Sequence, residues 1–180
     1  LYMGPYPTSL HQCSSEAVVD LTALNLEYIG VSDDGGFHIG ALTTLQQLLE
    51  SNLMQSHANG LLSQASLLAA HHGLRNLANL AGVLTTHQGP QEVLLALLVL
   101  DAVVVLDDGS DVEVQAFSST ESNGRFITEI RIPNHTVVAA LERISRSPLD
   151  KSIVSVAAAL HLDDGVVSHA RIAVAGAMDK

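Results

Sequence analysis

The alternation of apolar and polar residues predicts three β-hairpins, each closed by an Asp-Gly turn. The first is centred on Asp33-Asp34-Gly35-Gly36, whose glycines supply the positive φ that tight hairpin loops require. The second turns at Asp107-Asp108-Gly109 and the third at Asp163-Asp164-Gly165. Around the later turns we expect strands at 102–106, 111–117, 153–162 and 166–175, with a further strand at 125–132.

Helical periodicity predicts three helices between the first and second hairpins. Thr44 and Gln47 form a capping box that opens a short helix. Apolar residues at helical spacing over 61–69 predict a second helix, which stops at His71-His72-Gly73. Pro90 fits the first position of a third helix that is apolar almost all round and is therefore expected to be buried. The pattern as a whole predicts an α+β fold rich in antiparallel strand.

Composition restricts the class of protein. The chain has 180 residues, a hydrophobic content of 47% and a positive mean hydropathy, which favours a folded core over disorder. A net charge of −11 with 3% aromatic residues disfavours a nucleic-acid partner. Asp101 interrupts the longest apolar run, so no membrane span is expected. No secretory signal is visible, and a cytoplasmic location is the default expectation.

Residue types that often carry chemistry are sparse or badly spaced. Cys13 is the only cysteine, so neither an intrachain disulfide nor an iron–sulfur cluster has its ligands. Nine histidines are present, but no pair has the spacing of a helical metal site, and we predict no metal site. We also predict no catalytic residue, since no nucleophile elbow or Walker-type loop is present.

One stretch of small residues points to a phosphate-bearing ligand. Residues 75–84 (RNLANLAGVL) read as a tight turn ahead of the helix that opens on Pro90. A backbone with little side-chain bulk near a helix N-terminus lets a phosphate or pyrophosphate approach closely. The alternative is a structural turn without a ligand, and the residues themselves leave both interpretations open.

Several ordered stretches resemble the FAD-binding subunit, or middle domain, of the molybdenum hydroxylases, the family of carbon monoxide dehydrogenase, xanthine dehydrogenase and the aldehyde oxidoreductases. The resemblance covers most of the chain, from about residue 18 to 177. It implies an FAD-binding domain of the PCMH type at 1–134 and the start of a small α+β C-terminal domain at 135–180. The matching stretches are 39–44 (IGALTT), 74–76 (LRN), 100–102 (LDA), 128–133 (TEIRIP), 155–160 and 170–173.

The resemblance also implies where FAD binds. That family holds the pyrophosphate of FAD with two glycine-rich segments, and a strand passes the flavin. Several residues differ from the usual family pattern: Asn79 replaces Thr, Ala81 replaces the first Gly, Val83 replaces Asn, and Glu92 replaces Asp. A methyl group at Ala81 is expected to crowd the phosphate, and Val83 offers no side-chain hydrogen bond. The implied cofactor-binding residues are Gly4, Asn79, Ala81, Gly82, Val83, Leu84, Glu92 and Ile130.

Two functional hypotheses follow from the resemblance. The first is an electron-transfer subunit that holds FAD and works with an iron–sulfur subunit and a molybdopterin subunit of one complex. The second is a non-catalytic scaffold or assembly subunit with the same fold that has lost FAD. A homo-oligomer is left open, and the start at Leu1 is consistent with a fragment or a processed chain.

Overall fold

The computed structural model describes residues 19–85, 90–117, 124–147, 150–163 and 165–176. Within these ranges it contains two antiparallel sheets connected by short helices. The first sheet has the strand order β1-β2-β5-β3-β4, with β1 (Ile29–Val31), β2 (Phe37–Gly40), β3 (Val103–Leu106), β4 (Asp111–Glu113) and β5 (Ile127–Ile132). The second has the order β6-β7-β8, with β6 (Val137–Ile144), β7 (Val154–Asp163) and β8 (Val166–Ala175). The predicted α+β class with antiparallel strands is confirmed.

The helices are short and begin where the sequence places their caps. Thr44 caps the first helix as predicted, because its hydroxyl accepts from the Gln47 amide at 3.2 Å while its own amide donates to Gln47 Oε1 at 2.8 Å. A 3₁₀ turn at Thr22–Leu24 precedes the first sheet. The α-helices of the described residues are α1 (Leu45–Glu50), α2 (Asn52–Ser56), α3 (Leu61–Ala69), α4 (His72–Arg75), α5 (Leu80–Thr85) and α6 (Gln91–Val99).

Two helix boundaries differ from the prediction. Gly73 is not the stop signal of the second helix: α3 ends when Ala70 adopts an extended conformation, and Gly73 lies inside the separate helix α4. Pro90 is the N-cap of α6 rather than its first residue, because its ψ of 120° is extended rather than helical. Both differences concern the ends of helices, and α3 and α6 lie where the apolar pattern predicts helices.

The strands also differ at two places. The strand predicted over 111–117 ends at Glu113, because the chain turns there and the Phe117 amide bonds back to the Glu113 carbonyl at 2.9 Å. The sequence analysis predicted no strand at the position of β6. Its alternation is weak because two of its positions are alanines, and only pairing with β7 makes the strand evident.

The buried helix α6 packs on the second sheet, within a core that also contains residues of the first sheet. It contacts α3, β7 and β8, and Val93, Ala96 and Leu97 have no exposed surface. The predicted burial of this helix is thereby confirmed. None of the helices in the described part of the chain has the length and apolar character needed to cross a bilayer.

Candidate functional site

The stretch around Asn79 lies against the loop that follows β2. Three backbone hydrogen bonds join them: Leu45 N donates to Ala78 O at 2.9 Å, Leu80 N to Thr43 O at 3.1 Å, and Ala81 N to Ala41 O at 2.9 Å. Residues 41–44 belong to the family-like stretch 39–44, and residues 79–81 belong to the stretch where the resemblance places FAD. The tertiary structure therefore brings together residues 41–45 and 78–81, which the chain separates by the whole of α1 to α4.

The predicted small-residue turn at 79–84 is a short helix, α5, and this corrects the sequence analysis. Asn79 caps it: the Gly82 amide donates to Asn79 Oδ1 at 2.8 Å and the Val83 amide donates to Asn79 O at 3.1 Å. Asparagine is among the best N-cap residues, which explains why a chain segment with little helix propensity forms a helical turn here.

The side chains of α5 point into the core. Ala81 has no exposed surface, Val83 is 4% exposed and Leu84 is 7% exposed, and all three belong to the main hydrophobic cluster. The expected crowding of a phosphate by the Ala81 methyl group is therefore not what the structure shows. Of the three departures from the family pattern in this turn, Ala81 and Val83 are core residues, and Asn79 is polar and half-buried.

The backbone N–H groups of this turn decide whether it can bind a pyrophosphate. A pyrophosphate needs backbone N–H groups aimed at it. Among residues 80–83, the first two amides donate to carbonyls of the loop after β2 and the next two donate to Asn79. The backbone amides of residues 80–83 therefore all donate within the protein, and the turn does not fit a pyrophosphate in its supply of donors.

The remaining predicted cofactor residues lie in different surroundings. Gly4 is outside the described residues. Ile130 is fully buried in the middle of the first sheet, where β5 pairs with Ile39 of β2 and Val104 of β3. Its side chain packs in the core, and a contact between Ile130 and a cofactor stays a prediction.

Glu92 lies in the first turn of α6 and faces the second sheet. Its side chain is 5% exposed, and Oε1 accepts a hydrogen bond from Ser155 Oγ at 3.0 Å. Arg143 Nη1 of β6 is 3.6 Å from the same carboxylate oxygen, so the charge is compensated inside the protein. These partners give Glu92 a structural role, and its predicted place near FAD stays untested.

Arg75, the centre of the LRN motif, holds the helices that carry this site. Its guanidinium donates to Ala70 O at 2.6 Å and to Leu67 O at 3.4 Å, at the end of α3. Its Nε donates to Gln46 Oε1 on α1 at 2.9 Å. The LRN motif therefore marks a buried arginine that joins α1 to α3. These hydrogen bonds give Arg75 a structural role, which the sequence alone did not indicate.

A polar cluster on the first sheet was missed by the sequence analysis. The Glu129 carboxylate accepts from Tyr28 OH at 2.7 Å and Arg131 Nε at 2.7 Å, and it lies 3.0 Å from His38 Nδ1. Burial and then the bond to Glu129 raise the pKa of Tyr28 to about 12. Burial also acts to raise the pKa of Glu129, but the bonds from His38, Tyr28 and Arg131 outweigh it and keep that pKa low. Only the pairing of β2 with β5 could reveal the cluster.

Comparison with known proteins establishes the class. The sequence model of the family described as "FAD binding domain in molybdopterin dehydrogenase" matches residues 6–135. The chain therefore belongs to this family of FAD-binding domains. FAD is the cofactor of the family, in agreement with the cofactor predicted from the sequence.

Two individual relatives match half or more of this chain. The uncharacterized protein YgfM of Escherichia coli K12 is 28% identical over 162 residues, which cover 90% of this chain and 59% of that protein. The nicotinate dehydrogenase FAD-subunit of Eubacterium barkeri is 36% identical over 93 residues, which cover 51% of this chain and 31% of that subunit. The chain thus spans about three fifths of the first of these relatives.

A solved structure shares the fold. The carbon monoxide dehydrogenase of Hydrogenophaga pseudoflava, in a form that lacks the Mo-pyranopterin moiety, matches with a TM-score of 0.71 and 25% identity. The match covers 83% of this chain and 55% of that one. The predicted resemblance to the flavin-binding part of the molybdenum hydroxylases is confirmed.

Proposed function

We propose that this chain is the FAD-binding part of a flavoprotein subunit in a molybdenum-dependent dehydrogenase complex. FAD supplies one- and two-electron transfer when bound, while the protein supplies binding, position and electrostatics. The observation that carries the proposal is the match of residues 6–135 to a family of FAD-binding domains. In this proposal the half-buried side chain of Asn79, which caps α5, would meet the pyrophosphate.

The proposal includes partner subunits. Two relatives carry names that describe parts of larger enzymes, namely a nicotinate dehydrogenase FAD-subunit and subunit alpha of a 6-hydroxypseudooxynicotine dehydrogenase complex. By analogy, an iron–sulfur subunit would deliver electrons to the flavin, and a molybdopterin subunit would carry the substrate reaction. A cytoplasmic location belongs to the same proposal.

Flavin titration of the purified full chain tests the cofactor. We expect quenching of FAD fluorescence on binding and a flavin absorption band that stays with the protein after desalting. Riboflavin lacks the pyrophosphate and is expected to bind at least about tenfold more weakly, a difference of about 1.4 kcal/mol. A folded protein that takes up neither flavin would contradict the proposal and favour the scaffold role.

A matched pair of substitutions locates the pyrophosphate. Asn79→Asp keeps a good N-cap but adds a negative charge where the pyrophosphate is expected, so FAD affinity is predicted to fall at least about tenfold. Asn52→Asp makes the same change on the exposed first residue of α2 and is expected to leave affinity unchanged. Equal affinities of the two variants would remove Asn79 from the site while leaving FAD binding itself intact.

A further inference from the structure

Three imidazole rings from separate parts of the chain lie in a row at one end of the second sheet. His161 of β7 is in the middle, with its ring centroid 5.1 Å from that of His135 and 5.4 Å from that of His169. His135 precedes β6, and His169 lies opposite His161 in the register of β7 and β8. The sheet register creates this cluster, since no spacing in the sequence indicates it.

The guanidinium of Arg171 and the carboxylate of Asp101 complete the cluster. Asp101 follows α6 with a φ of 58°, a left-handed conformation that is uncommon for a residue other than glycine. Its Oδ1 is 2.5 Å from Arg171 Nη1 of β8, and its Oδ2 is 4.0 Å from His161 Nε2. Asp101 thus holds Arg171 and His161 on either side of its carboxylate.

Two buried nitrogen atoms of the cluster have no hydrogen-bond partner among the described residues. They are His161 Nε2 and Arg171 Nε. An unpaired buried donor of this kind is unfavourable, and an acceptor from a ligand would satisfy it. Arg171 lines a cavity of about 180 Å³, and His161 lines a neighbouring cleft of about 480 Å³. Asp101 and His135 line both spaces, so the two adjoin as one cleft.

The charge of this cleft depends on the histidines. With neutral imidazoles, the single guanidinium is outnumbered by carboxylates and an anion is repelled. Protonation of the three imidazoles reverses the sign of the site, and histidine changes charge near neutral pH. The charged and titratable groups that face the cleft are Asp101 beyond α6, Glu113 of β4, His135 before β6, His161 and Asp163 of β7, and His169 and Arg171 of β8.

We propose that this cleft is a proton-gated site for a small oxyanion, a phosphate or a carboxylate group, bound by Arg171 and protonated His161. Arg171 Nε and His161 Nε2 would donate to the anion, while His135 and His169 add positive charge at the rim. A guanidinium and an imidazolium are suited to either kind of oxyanion, because both make charge-assisted hydrogen bonds. The site is separate from the proposed FAD site and does not depend on it.

Proton uptake and anion binding are coupled at this site. Burial and then the neighbouring His135 lower the pKa of His161, and Asp101 only partly opposes them. An anion favours the protonated ring, so binding raises the pKa of His161 and, by linkage, lower pH tightens binding.

Titration of the full chain with inorganic phosphate and with acetate at constant ionic strength tests the proposal. Histidine proton NMR follows His161 directly, and calorimetry gives the affinity. We expect binding at about pH 6 that weakens at least about tenfold at about pH 8, together with a higher pKa of His161 in the presence of the anion. The relative affinities of phosphate and acetate distinguish the two sources of the oxyanion.

Substitutions separate this site from general charge effects. Arg171→Gln and, independently, His161→Gln are expected to weaken binding at least about tenfold at about pH 6. Arg146→Gln removes the same charge beyond the opposite end of β6, where Arg146 is exposed, and is expected to leave binding unchanged. Near-ultraviolet circular dichroism at about pH 8 checks that each variant is folded.

Three outcomes would overturn the proposal. The first is the absence of binding of either anion at about pH 6 by the folded protein. The second is equal affinity in Arg146→Gln and in both cleft variants. The third is displacement of the anion by Zn²⁺ with a shift of all three histidine signals, which would make the cluster a metal site instead.

Discussion

Ser155 Oγ donates a hydrogen bond of 3.0 Å to Glu92 Oε1, although 63 residues separate the two in the chain. Ser155 has no exposed surface, and Glu92 is 4% exposed. The bond joins the first turn of α6 to the middle strand of the second sheet. Arg143 of β6 lies beside the same carboxylate, so one buried acidic residue connects the helix to two strands.

Removal of this carboxylate is predicted to destabilise the fold. Glu92→Ala removes the acceptor of the Ser155 hydrogen bond and the carboxylate beside Arg143, and the loss of one partner of a largely buried ion pair costs about 3–5 kcal/mol. Urea unfolding measures the change in the free energy of unfolding. Glu142→Ala on the exposed face of β6 is the control and is expected to cost less than about 0.5 kcal/mol. Equal losses in the two variants would show that the Glu92 contacts contribute nothing to stability.

Gly40 is predicted to tolerate no side chain. A Cβ at this position would meet the carbonyl oxygen and carbon of Leu26, which are backbone atoms and cannot move away cheaply. Gly40→Ala is therefore expected to cost about 1–3 kcal/mol and to disturb the loop that supports Asn79. A Cβ at Gly30 in the same hairpin would meet no atom closer than 3.9 Å, so Gly30→Ala is the control. Thermal unfolding measures the stability of the two variants. A fully stable Gly40→Ala protein would contradict the packing described.

Ala81→Gly distinguishes a core methyl group from one that faces a ligand. Because Ala81 is fully buried in α5, the change is expected to cost about 1 kcal/mol of stability and to leave FAD affinity within about twofold. Flavin fluorescence and urea unfolding measure the two quantities. Ala65→Gly, in the buried face of α3, is expected to lose similar stability. An affinity gain of about tenfold would place the methyl group against the phosphate instead.

The stability of the protein is predicted to fall on mild acidification through His57. Its ring packs in a tilted arrangement against Phe37, with the ring centroids 4.7 Å apart. Its Nε2 is buried without a partner in the described residues, and burial lowers its pKa below 6.5. The unfolded chain then binds more protons than the folded one, so stability is present above about pH 6.5 and is lost as the pH falls through the lower folded pKa. His57→Gln is expected to flatten the dependence of stability on pH between about 7 and 5.

The control for this pH dependence is an exposed histidine. His72→Gln is expected to leave the slope unchanged, because His72 lies on the exposed surface of α4. Some slope is expected to remain in His57→Gln, since burial also lowers the pKa of His161. An unchanged slope in His57→Gln would show that His57 titrates alike in the folded and unfolded chains.

Local signals in the sequence predicted the elements that depend on neighbouring residues. The capping box at Thr44, the Asp-Gly turns after β1 and β3 and the apolar run of α6 are of this kind, because caps, turns and buried helices are encoded within a few residues. The third predicted turn includes residue 164, which lies outside the described residues. The prediction of the 79–84 turn went wrong for the converse reason. Its helical form depends on Asn79 as a cap and on the carbonyls of Ala41 and Thr43, and the carbonyls come from a distant loop.

The sequence alone was sufficient to predict the family, the α+β class and FAD as the cofactor, because the order of motifs along the chain can be read without a structure. Only the tertiary structure decided which way side chains point: Ala81 into the core, Glu92 towards Ser155 and Arg143, and His161 between two other imidazoles. The physical reason is that contacts between residues on different strands and helices depend on strand register and helix packing. Neither quantity can be read from the spacing of residues along one chain.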